Sequence, residues 1–142
     1  MISLLLVFSL SAVNAQFRKV PAEVTDAFKA KYTNADHVSW KDKFSSFQAD
    51  FKVGENAMKS LFNSKGEWLK TETKFGFENL PADVKDGFKK SKYADMVVSD
   101  IMQVEEKEKG PEYRMVVKKG DFNKKTLVFA KTGQLISDKG SF

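Results

Sequence analysis

The chain is predicted to be an α+β protein built from two successive units. Each is a helix followed by a four-stranded antiparallel sheet, with both helices on one sheet face. Two observations carry this. The segment VPAEVTDAF at 20–28 returns as LPADVKDGF at 80–88, and the downstream segment LFNSKGEWL at 61–69 is answered by VFAKTGQLI at 128–136. A repeat spaced about sixty residues apart means a supersecondary unit used twice. The units are expected at about 20–77 and 80–138, joined by only two residues, so that one fused body results, with a continuous sheet or two abutting sheets.

The first fifteen residues read as a signal peptide. Residues 2–13 are almost wholly apolar or small, Val13-Asn-Ala15 offers small residues for cleavage after Ala15, and the run is too short for a membrane anchor. No Lys or Arg precedes the apolar run. The remainder, 16–142, is a single domain by length. With no cysteine, an exported domain relies on its core rather than on disulfides, and a lipid-modified cysteine at the junction is excluded. The expected location is periplasmic or secreted, with no stable membrane insertion.

Pro21 is expected to open the first helix, with Glu23 near the positive end of its dipole. Val24, Ala27, Phe28 and Tyr32 form one apolar stripe, and Thr33-Asn34 stops the helix. The period then changes to two. Val38, Trp40 and Asp42 alternate with His37, Ser39 and Lys41, and Phe47, Ala49, Phe51 and Val53 alternate with Gln48, Asp50 and Lys52. Strands are expected at 57–62 and 67–77 around turns at 54–56 and 63–66. Leu69, Thr71, Thr73 and Phe75 should share one face of the fourth strand, and Trp68, Lys70, Glu72 and Lys74 the other. The second unit reads as a helix with stripe Val84, Gly87 and Phe88, then strands at 96–106, 112–119, 122–130 and 134–137.

The net charge of +5 is carried by lysines interleaved with acids, and the only arginines are Arg18 and Arg114. Nucleic acid is a poor partner for such an exported chain. Catalytic constellations are missing: there is one histidine, His37, no nucleophile elbow, no Gly-rich phosphate loop and no calcium-loop pattern. An enzyme is not expected, and neither a cofactor nor a metal is called for. His37 reads as a solvent-exposed residue.

Most aromatics fall at core phase, which makes packing their default role. Trp68 is the exception, since its phase groups it with lysines, where a tryptophan suits a contact hot spot. A partner-binding face is therefore expected from Gln48, Asp50, Lys52, Lys59, Trp68, Lys70 and Glu72, with Arg114, Val116 and Lys118 from the second unit. Phe44 and Phe122 are turn aromatics added to it as contact residues. A one-residue slip of register would turn each strand residue inward.

The tandem VPAEV…F and LPADV…F segments, Val38-Ser-Trp40, the stretch NSKGEWLKTET at 63–73 and KTGQL at 131–135 together resemble the PepSY-like, β-lactamase-inhibitor-like family. These are small exported proteins of Gram-negative bacteria. The resemblance covers essentially the whole chain after the signal peptide. It implies two α-then-antiparallel-sheet repeats side by side, as in the β-lactamase inhibitor protein, whose exposed sheet grips its enzyme. It also implies a link to restraining peptidases. Trp40 and Trp68 are family-pattern positions, but no inhibitory residue carries over, and the disulfides of the named inhibitor have no counterpart here. The expected function is an exported, non-enzymatic binder of a protein or peptide in the cell envelope, with inhibition of a periplasmic hydrolase as its sharpest form. The alternative is a small envelope ligand (lipid, glycan or peptidoglycan fragment) held between the repeats.

Overall fold

A computed structural model describes residues 18–140; the signal-peptide reading and its cleavage point lie outside the described residues. The chain runs α1 (Ala22–Lys31), β1 (Asp36–Asp42), β2 (Ser46–Val53), β3 (Asn56–Asn63), β4 (Trp68–Lys74), α2 (Ala82–Lys90), β5 (Val97–Glu106), β6 (Glu112–Lys119), β7 (Asn123–Ala130) and β8 (Leu135–Gly140). All eight strands form one antiparallel sheet in sequence order. The sheet does not divide between the helix-led halves, because β4 pairs with β5 from Lys70↔Glu106 to Lys74↔Met102.

Both helices bury one stripe on the same face. Val24 and Phe28 of α1 are buried among Phe47, Ala49, Phe51 and Phe62, with Tyr32, Trp40 and Trp68 packed around them. Val84 and Phe88 of α2 are buried among Ile101, Tyr113, Met115, Val117, Leu127 and Phe129. Phe28 is the hub of the first core, with Phe51 at 4.9 Å, Trp40 at 5.3 Å and Tyr32 at 5.4 Å between ring centroids. Such edge and tilted contacts suit the ring quadrupoles. Two buried hydroxyls and a half-buried one are satisfied locally: Ser60 and Thr71 share a hydrogen bond of 3.0 Å, and the Tyr32 hydroxyl lies 3.3 Å from Ser60.

Several local expectations are corrected. Pro21 is the N-cap, one residue ahead of α1, where its carbonyl accepts from Val24 and Thr25 N–H at 3.1 and 3.2 Å. The fourth strand stops at Lys74, and Phe77–Asn79 makes a 3₁₀ turn instead of continuing it. Phe75 and Phe77 there pack against the second core. The last strand is longer than its apolar text, reaching Gly140 because backbone pairing with β7 continues to Lys125↔Gly140.

The β1–β2 hairpin is tied down from the N-terminal side. The Arg18 guanidinium donates to Asp42 at 2.8 and 2.5 Å, donates to the Phe44 carbonyl, and lies 4.9 Å from the Phe47 ring centroid. The hydrogen bond from Arg18 holds the Asp42 carboxyl down at about 2. A carboxyl depressed in the folded state lends its stability above its unfolded value and loses it as pH falls through the folded one. The hairpin tether is therefore expected to hold down to about pH 4 and to release between pH 4 and 2. Following Asp42 by NMR titration checks this, and a midpoint near the ordinary carboxylate value would show that the Arg18 contact does not persist in solution.

Candidate functional site

The face of the sheet away from the helices is open. Cross-strand register runs Asp50↔Lys59↔Glu72↔Val104↔Glu112 along one row and Lys41↔Gln48↔Leu61↔Lys70↔Glu106 along the next. Directly paired side chains share a face. Hence Gln48, Asp50, Lys52, Lys59, Lys70 and Glu72 lie on the helix-free side. Arg114, Val116 and Lys118 join them through Met102↔Arg114, Asp100↔Val116 and Val97↔Lys118.

Glu72 is the electrostatic centre. Its side chain is 16% exposed, Lys70 Nζ donates to Oε1 at 2.9 Å, and Arg114 Nη1 stands 3.5 Å from the same oxygen. Burial works against its charge, but the Lys70 hydrogen bond and the charges of Lys70, Arg114 and Lys59 prevail and lower its pKa. Arg114 of β6 reaches across β5 to do this. Two strand spacings amount to about 10 Å. Val104, which lies between them on the same face, is only 4% exposed. A valine buried on the side without helices shows that these long side chains roof the sheet. At β2, Asp50 accepts from Lys41 and Gln48.

Beside this centre lies a recess of about 400 Å³, lined by His37, Asp50, Lys52, Lys59, Lys74 and Met102 among others. It takes residues from β1 and from β5, four strands away, so the sheet hollows on this side. Lys74 pairs with Asp100 at 3.5 Å across the junction between the two halves. His37, Ser39, Asp100 and Met102 were not among the expected face residues, and Lys74, expected on the face of Lys70 and Glu72, was not among the expected contacts. His37 takes a positive φ of 52° where β1 pairing is irregular between Asp36 and Ser39, so simple alternation loses its direction there.

Trp68 does not belong to this face. Leu61 pairs with Lys70 but Phe62 pairs with Trp68, leaving Leu69 as the extra residue of a β-bulge. One extra residue reverses the alternation. Trp68 thus turns toward α1, packs on the first core, donates from its indole N–H to Thr71 Oγ1 at 2.7 Å, and has the Lys31 ammonium 4.2 Å from its ring. Trp68→Ala should cost about 2–3 kcal/mol of stability through lost packing and the lost indole hydrogen bond to Thr71, which keeps Ser60 and Tyr32 as partners. Urea denaturation measures this, and a loss below about 0.5 kcal/mol, the level of an ordinary surface change, would return Trp68 to the surface. Phe44 and Phe122, 92% and 101% exposed, sit on hairpins at opposite ends of the strands rather than together.

Among the described residues no group of three His, Cys, Asp or Glu side chains could hold a metal, and no helix is long and apolar enough to cross a membrane.

Fold and face together define a two-layer α+β protein with helices on one side and a hollowed, charged sheet surface on the other. The chain belongs to the family described as "Putative beta-lactamase-inhibitor-like, PepSY-like", whose model matches residues 45–137. Solved structures share the architecture. A BLIP-like protein from Bacteroides fragilis is 29% identical with a TM-score of 0.82, over 88% of this chain and 89% of that one. A DUF2874 family protein from Bacteroides uniformis is 25% identical with a TM-score of 0.81, over 86% and 90%. One described as a "putative periplasmic" protein, from Bacteroides eggerthii, is 24% identical with a TM-score of 0.80, over 87% and 90%. Among curated proteins no match is found.

Proposed function

We infer that this is an exported, non-enzymatic binding protein that grips a protein or peptide of the cell envelope with the helix-free face of its sheet. The observation that carries it is the Glu72–Lys70–Arg114 cluster roofing Val104 beside an open recess. A preformed, partly desolvated charge cluster next to apolar lining has the makeup of a contact centre. The inhibitor-like family description supports a hydrolase as the restrained partner, and the periplasmic description of a structural neighbour supports the location. The two helix-led halves read as copies of one unit, and residues 1–15 as the export signal.

The test is capture from envelope extract with the wild type and with a Lys59→Ala, Lys70→Ala double variant whose circular dichroism is native. Arg114 remains beside the Glu72 carboxylate in the variant, so the fold should survive. A hydrolase captured by the wild type and at least tenfold less by the variant is the expected result; a partner retained equally by both would move the interface off this face. A second reading is favoured by the recess itself, which spans β4 and β5 and so lies between the two halves. Its volume is within the range of small-ligand sites. A glycan or lipid fragment protected there, with no protein captured, would install that reading.

A further inference from the structure

The β6–β7 hairpin has a composition that the Glu72 centre of the protein-binding face does not use. Residues 118–125 read KKGDFNKK, and Phe122 at the tip is fully exposed. Lys118 and Lys124 are direct cross-strand partners on the helix-free face, with Val97, 69% exposed, paired to Lys118 on its other side. Like charges directly opposite one another destabilise a strand pair. Lys119 is held by Asp95, but neither Lys118 nor Lys124 has an ion-pair partner among the described residues. The fold gains nothing from this arrangement, which presents two unneutralised ammonium groups beside a bare aromatic ring.

We propose that this hairpin docks the protein on an anionic phospholipid surface, with Phe122 entering the headgroup–acyl boundary and Lys118 and Lys124 meeting lipid phosphates. The shape selects a bilayer over a folded protein. Phe122 does not line the recess described above and stands at an exposed hairpin tip, whereas an aromatic anchor in a protein interface fills a pocket ringed by other contacts. A protruding ring with flexible lysine stems behind it fits an interface into which the ring inserts while the stems snorkel. Lysines near an anionic surface each add attraction that salt screens, so the contact is reversible and salt-sensitive. This surface lies at the β6–β7 end of the sheet; it shares Lys118 and Phe122 with the residues expected to contact a protein but rests on their hairpin rather than on the Glu72 centre.

Sedimentation with vesicles tests it, using phosphatidylglycerol–phosphatidylcholine mixtures against phosphatidylcholine alone at about 50 mM salt. Wild-type protein should partition onto the anionic vesicles, at least tenfold less onto neutral ones, and far less at high salt. Lys118→Gln with Lys124→Gln should cut partitioning at least tenfold, and Phe122→Ser severalfold, both with native circular dichroism because all three side chains are exposed. No partitioning at low salt, or partitioning that both variants keep, overturns the proposal. Retention on immobilised poly-glutamate without vesicle binding also overturns it, assigning the lysines to an acidic protein.

Discussion

Gly133→Ala is expected to destabilise the protein by about 3 kcal/mol or more, well beyond the effect of the same change at Gly120. Both glycines have positive φ, +84° and +69°, which costs any other residue about 1–2 kcal/mol. Only Gly133 adds a collision. A Cβ there would stand 2.1 Å from the Asp83 carbonyl oxygen of the first turn of α2, whereas nothing lies within 4 Å at Gly120. The opposing atom is helix backbone, so relief requires α2 to move off the sheet, pulling Val84 and Phe88 from the second core. Gly87 meets the same turn from the helix side, since its Cβ would fall 2.0 Å from the Gly133 oxygen. The β3–β4 turn repeats this approach, with Gly66 against the Glu23 carbonyl at 2.5 Å. Chemical denaturation of the two variants decides the matter. Equal losses at Gly133 and Gly120 would mean that the helix does not rest on the turn.

These contacts explain why the text repeats where it does. In each half the turn glycine must accept the carbonyl of the helix's first turn, so the residues around Pro21 and Pro81 and those around Gly66 and Gly133 are bound to one another. The helices and β2 were legible because their burial follows a single period, 3.6 for Val24, Phe28 and Tyr32 and two for Phe47, Ala49 and Phe51. Alternation also placed Gln48, Asp50, Lys70 and Glu72 on the side the register assigns them. It misled at Trp68, because a bulge in one half, taken alone, leaves no mark in the residue types around it. A related signal existed: at the matching turn Phe129 pairs with Leu135 and Val128 with Ser137, stranding Ile136, which is 51% exposed, as Leu69 is stranded in the first half. Two such apolar pairs after a glycine turn, one member packed and the next displaced, point to a bulge once they are compared. The recess could not be read locally at all. It needs His37 of β1 and Met102 of β5 brought to one hollow, which depends on the curvature of five strands.

Phe28→Ala is expected to cost about 3–5 kcal/mol, the range for emptying a fully packed aromatic site. The ring is 4% exposed and touches Tyr32, Trp40, Phe51 and Phe62, so no single neighbour can rotate into the space without leaving another gap. For a domain whose whole stability is about 5–15 kcal/mol, that is a large share. The two cores are separate clusters, yet both halves contribute strands to one sheet. Loss of the first half would bare the β5 edge and remove the Lys70 and Glu72 side chains that shelter Val104. The second half is therefore destabilised along with the first, and unfolding should remain one transition in the variant. Tryptophan fluorescence tests this cleanly, because Trp40 and Trp68 both lie beside the first core and none lies beside the second. Fluorescence and far-ultraviolet circular dichroism should give coincident thermal curves for wild type and Phe28→Ala, with the variant's midpoint lower by roughly 10 °C or more. A fluorescence transition well below the circular dichroism one would show that the β4–β5 pairing does not couple the halves, and that each core holds its own helix and strands independently.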